Sequence, residues 1–227
     1  MGAQVSGAVY AEQSRNPLAG TVVLTEGGLR VGRRTTPPEE LQMAAMADAY
    51  LRGQWLGGGG SERPLAHIPA GDGIVPVTRV TGSTKPVRVR RAAEFARALG
   101  DMAVRHAGGP AAVAALADRA RAEGVPLWLA RRVAMGPAGP VTVVVDRRTA
   151  RVDVWSPSAP VVRIRAPYGV SADRRNPGRG LLLTVGETPA MTAVTFTMRK
   201  SRRSVIVEIP QRSWELTRAD ARSSRLT

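Results

Sequence analysis

No cysteine occurs anywhere in the 227 residues, which excludes disulfides, thiolate metal sites and cysteine nucleophiles. Histidine occurs twice, as His67 and His106, and neither has a carboxylate at the spacing of a triad or a metal site. Aromatic residues make up only 4% of the chain, so large stacking surfaces are scarce. Lysine is confined to Lys85 and Lys200. No run approaches the 18 uncharged apolar residues of a spanning helix, and no basic segment followed by an apolar one marks a signal peptide. Glycine runs lack the lysine and serine of a phosphate loop, and no G-x-G-x-x-G follows a strand. The expectation is a protein without catalysis, cofactor or metal.

What the chain has in abundance is arginine. There are 33 basic residues against 18 acidic ones, a net charge of +15, and the calculated isoelectric point is near 11.6. Such a field favours polyanionic partners: nucleic acid or an acidic membrane surface. The planar guanidinium suits phosphate and guanine, although a GC-rich genome also writes arginine, alanine, glycine and proline throughout its proteins. With 43% hydrophobic residues a core forms without staples, while 24 glycines and 17 prolines promise long irregular stretches.

The charge is unevenly placed. Residues 1–60 hold five basic and five acidic groups, and residues 61–227 hold 28 and 13. Gly57-Gly58-Gly59-Gly60-Ser61 lies at the break and reads as a flexible linker. The domain reading is therefore a small neutral α/β module over 1–56, a glycine-rich linker over 57–64, a basic α+β domain over 65–211, and an arginine-rich tail over 212–227. In that tail Trp214 and Leu216 dock against the body and the rest frays.

In the first module, 21–25 and 29–33 pattern as a β-hairpin. Thr36-Pro37-Pro38-Glu39 reads as a capping box opening a helix to about Gly53. In the basic part, 74–80 and 85–90 pattern as a hairpin, 92–106 and 110–123 as helices, and 126–135 as a third, short helix. From Val141 onward the alternation is β: 141–145 with 151–155, then 161–165, 181–185, 190–199 and 204–209. The fold class is α+β, with central helices and a carboxyl-terminal antiparallel sheet.

Two resemblances arise. Ala120, Gly124 and Val133 are spaced as in a helix-turn-helix, and the following hairpin makes residues 92–155 resemble a winged helix-turn-helix. That resemblance implies Arg131 and Arg132 beside a groove, with Arg147, Arg148 and Arg151 straddling the backbone. Pro126, Trp128 and Arg119 depart from the pattern. At the other end, Met1-Gly2-Ala3-Gln4-Val5-Ser6 is similar to the start of picornavirus capsid precursors, which implies myristoylation at Gly2; the likeness stops at Gly7.

The basic candidates are then Arg88, Arg90, Arg163 and Arg165 on strand faces, Arg174, Arg175 and Arg179 in one loop, and Lys200, Arg202 and Arg203 in another. Together with Arg131 to Arg151 they point to non-enzymatic binding of DNA or RNA, mainly through the phosphate backbone. The alternative is a capsid- or nucleoprotein-like assembly subunit, a homo-oligomer whose sheet edges make the contacts. A third is peripheral membrane attachment through a modified Gly2 and a basic face. Localisation follows the reading: cytoplasm, bacterial nucleoid or virion.

Overall fold

The computed structural model describes residues 7–12, 21–136, 139–146, 148–156, 159–169, 178–195, 204–210, 212–218 and 224–226. It is α+β, with a small amino-terminal sheet and helix region, central helices and a large antiparallel sheet at the carboxyl end. The chain parts into two compact units, residues 1–131 and 132–227.

The first unit opens with β1 (Ala8–Glu12), β2 (Val22–Thr25), β3 (Gly28–Val31) and β4 (Arg34–Thr36), an antiparallel sheet in chain order. The capping box does not form. Thr36 ends β4, where its hydroxyl accepts from Arg79 Nη2 at 2.8 Å. A single 3₁₀ turn covers Pro38–Glu40. Two long-range bonds then hold the chain extended: Val80 N–H to Glu40 C=O, and Gln42 N–H to Thr78 C=O. Helix α1 starts only at Met43 and runs Met43–Leu51.

The four glycines do not form a linker between domains. They lie between β5 (Gln54–Leu56) and β6 (Glu62–Pro64), which pair antiparallel, and they make the tight turn of that hairpin. Gly59 and Gly60 take φ of 66° and 78°, the left-handed region that only glycine enters freely. Gly60 also lies against the Trp128 indole, where any Cβ would collide. The run is thus a packing requirement, and the boundary between units falls instead at 131/132.

A second hairpin, β7 (Gly73–Thr78) with β8 (Thr84–Val89), leads into α2 (Ala92–His106) and α3 (Pro110–Ala122). All three match their expected spans closely because their patterns are strictly periodic. Phe95, Leu99 and Met102 are fully buried on α2, each stabilising by roughly 1.5–3 kcal/mol. Tyr10 meets Phe95 edge-on at 5.2 Å, tying β1 to α2.

The third helix is absent. Residues 127–128 form a turn and 130–136 a strand, β9 (Ala130–Gly136). Val125, Leu127 and Leu129 are buried at a spacing of two, the period of extended chain, and Arg131 N–H bonds to Val80 C=O at 2.6 Å instead of to a preceding turn. A helix followed by a strand is not a helix-turn-helix, so the winged-helix resemblance falls.

The second unit continues from β9 as an up-and-down meander: β10 (Gly139–Asp146), β11 (Arg151–Ser156), β12 (Ala159–Arg165), β13 (Leu182–Val185), β14 (Thr188–Thr195), β15 (Ser204–Ile209), β16 (Arg212–Arg218) and β17 (Ser224–Leu226). These nine strands lie side by side in chain order. The expected fraying tail is in fact two of them, since Trp214 pairs with Val207 and Leu216 with both Val205 and Leu226. Register places Val143, Val145, Val152, Val154, Val162, Ile164, Leu183 and Val185 on one face. Val144, Asp153, Trp155, Arg151, Arg163 and Arg165 share the other.

Candidate functional site

An up-and-down sheet sends alternate connections to opposite ends. The segments joining β10 to β11, β12 to β13, β14 to β15 and β16 to β17 all leave and re-enter at one end. Those four segments contain ten arginines and lysines and two aspartates. The four segments at the other end contain no basic residue and one glutamate, Glu187. The described strand ends repeat the bias. Arg132, Arg151, Arg165, Arg218 and Arg225 belong to the basic end, together with Asp146; Glu208 and Arg212 belong to the opposite one. Residues 132–227 carry 17 basic and seven acidic groups, twice the net charge of residues 1–131.

Arg132, Arg148 and Arg179 are exposed there. Arg148 follows a tight turn in which its own N–H donates to Asp146 Oδ1 at 3.0 Å. Burial pushes the Asp146 carboxyl up, but the Arg148 N–H and the Thr149 hydroxyl outweigh it, and the group titrates below the ordinary carboxylate range. Asp146 therefore stays charged and pins the turn that presents Arg148.

Just inside this end lies a built cluster. Asp153 is fully buried on the arginine-bearing face, and three guanidiniums converge on it. Arg151 Nε donates to Oδ2, Arg165 Nη2 lies 2.9 Å from Oδ1, and Arg163 Nε lies 3.6 Å from Oδ1. Register explains the convergence: Arg163 sits directly across from Asp153, and Arg151 directly across from Arg165. One buried carboxylate is thus shared by three guanidiniums. These arginines are 21–30% exposed.

The remaining expected site residues fall elsewhere. Arg131 is held by its own loop, donating from Nε to Leu127 C=O and from Nη2 to Pro126 C=O, both at 3.0 Å. Burial pushes its guanidinium down to about 10. It fastens the chain and presents no edge to a groove. Arg88 lies on β8 and Arg90 just after it, in a different sheet and a different unit from Arg163 and Arg165. They line a cleft of about 510 Å³ whose wall also holds Glu12 and Asp72, and the Arg90 N–H donates to the Glu12 carboxylate at 2.8 Å. Charge there is mixed. Gly2, Arg147, Arg174, Arg175, Lys200, Arg202 and Arg203 lie outside the described residues.

Sequence reasoning placed Asp153 beside the β10–β11 turn but did not group it with Arg151, Arg163 and Arg165. The signal was present as Arg151-x-Asp153-x-Trp155 with Arg163-x-Arg165 one strand on, a spacing of two on adjacent strands. Among the described residues no group of three His, Cys, Asp or Glu side chains could hold a metal ion, and no helix is long and apolar enough to cross a membrane. Comparison with protein-family models, with curated proteins and with solved structures finds no match.

Proposed function

We propose that this protein is a non-enzymatic nucleic-acid-binding protein that grips the phosphate backbone with the basic end of its nine-stranded sheet. The observation that carries this reading is the sorting of connections by end, ten cationic residues in one set and none in the other. Genome composition raises arginine everywhere; it does not sort arginine by the parity of a turn. Arg132, Arg151, Arg165, Arg218 and Arg225, at the same end of five strands, supply cations for phosphates spaced along a nucleic-acid strand. Contacts of that kind position a ligand without reading its bases.

The test is binding of random duplex DNA and of single-stranded RNA across roughly 50–300 mM salt, where phosphate contacts make affinity fall steeply. Arg148→Gln with Arg179→Gln is expected to weaken all ligands alike and to flatten the log–log salt slope by about two. Absence of binding at the lowest salt overturns the reading. A second reading, a coat or assembly subunit on the same nucleic acid, is favoured by the sheet's two terminal strands, whose outer edges no described strand pairs. It differs in requiring self-association.

A further inference from the structure

Two hairpins of the first unit line one small cavity. On β3–β4 the register sets Leu29 across from Thr36 and Val31 across from Arg34, so these four side chains share a face. On β7–β8 it sets Val77 across from Lys85 and Val75 across from Val87, so Val77, Arg79, Lys85 and Val87 share another. These two faces, closed by Leu41 and Pro86, line a cavity of about 190 Å³. Its floor is apolar, since Leu29, Leu41, Val77 and Val87 are all buried. Its charges are Arg34, Arg79 and Lys85, and no carboxylate lines it.

Arg52, Arg90, Arg91 and Arg105 of the same unit each hold a carboxylate. Among the described residues none pairs with the three cations of the cavity, not even Glu39 or Glu40 on the turn that leads into Leu41. Arg79 is fixed from both sides: it bridges Leu41 across the Glu40 and Thr78 carbonyls, and its own N–H bonds to Ser83 C=O. Its Nη2 donates to the buried Thr36 hydroxyl at 2.8 Å. The rest of that guanidinium fork and the Thr36 hydroxyl proton have no acceptor among the described residues.

We propose that this cavity binds a small organic anion, a carboxylate carried on an apolar body such as a short chain or a single ring. The carboxylate accepts from Arg79 and Thr36, with Arg34 and Lys85 adding charge, and the body lies on Leu29, Leu41, Val77 and Val87. A guanidinium fork matches a planar carboxylate, and a few convergent polar groups on an apolar lining make a small-ligand site. The volume, below the roughly 300–1,000 Å³ of sites for drug-sized ligands, limits the body to that size. The site shares no residue with the basic end of the nine-stranded sheet.

The experiment titrates the full chain, in about 150 mM chloride to screen general attraction, with hexanoate, benzoate, inorganic phosphate and hexanol. Binding is followed by NMR at the amides of residues 29–36 and 77–87. Hexanoate and benzoate are expected to saturate and to move those amides; phosphate lacks the body and hexanol the charge, and each is expected to bind at least about tenfold more weakly. Arg34→Gln with Lys85→Gln, both at exposed positions, is expected to weaken hexanoate about tenfold with the unfolding midpoint unchanged. Phosphate or hexanol binding as tightly as hexanoate overturns the proposal, because charge or apolar contact alone would then suffice. So does hexanoate affinity unchanged in the double variant, or the absence of saturable binding at those amides.

Discussion

Asp153 and Arg163 stand directly opposite each other on β11 and β12, one fully buried and the other about a quarter exposed. The carboxylate lies beneath a layer of guanidiniums contributed by its own strand and the next. Removing one partner of a buried ion group leaves the others uncompensated, at a cost of about 3–5 kcal/mol. Asp153→Asn, which keeps the shape and removes the charge, is expected to lower the unfolding free energy by that order in urea titrations. An unchanged midpoint would show that solvent already compensates the three arginines.

Arg131 and Arg148 are expected to separate stability from binding. Arg131 bonds two backbone carbonyls, and a charged hydrogen bond contributes about 1.5–3 kcal/mol. Arg131→Gln should therefore destabilise by about 2 kcal/mol while leaving the salt slope of nucleic-acid binding unchanged. Arg148→Gln should do the reverse. Paired denaturation and binding curves on both variants decide it.

Gly100 is buried in the middle of α2 because the Tyr50 ring occupies the space of its side chain. A Cβ there would stand 2.5 Å from Tyr50 Cγ and Cδ2. Alanine favours a helix over glycine by about 1 kcal/mol, whereas forcing an atom into a packed core costs about 1–3 kcal/mol. The ring cannot swing freely, since Tyr50 Oη donates to Asp101 at 2.8 Å. Gly100→Ala is expected to come out destabilising, by about 1 kcal/mol, in thermal or denaturant unfolding.

The same tyrosine sets a high-pH limit. Burial, then the hydrogen bond to Asp101, pushes the Tyr50 phenol from 10.0 up to about 12. The folded value lies above the unfolded one, so the stabilisation is whole below about pH 10 and is lost as pH rises toward 12. Wild type and Tyr50→Phe should therefore converge in stability across that window. Tyrosinate absorbance that completes its rise near the ordinary value, with the protein still folded, would contradict the assignment.

Periodicity made α2, α3 and the β7–β8 and β10–β11 hairpins legible, because a local repeat of 3.6 or 2 reports which face is buried whatever it packs against. Composition alone determined that no disulfide holds the fold and that the surface field is positive. Local reading failed where distant partners intervened. The capping box at Thr36 gave way to bonds to the Thr78 carbonyl and from the Val80 N–H, the third helix gave way to strand pairing, and the four glycines proved to be a turn under Trp128. Arg131 looked like its neighbour Arg132 in sequence, yet one is fastened to carbonyls and the other is exposed. Above all, the tertiary structure decided which strand ends bearing arginine lie on the same side of the sheet. Charge is written in the sequence, but only the order of strands in the sheet gathers the turns that carry it at one end, because antiparallel neighbours reverse direction and return every second connection to the same side.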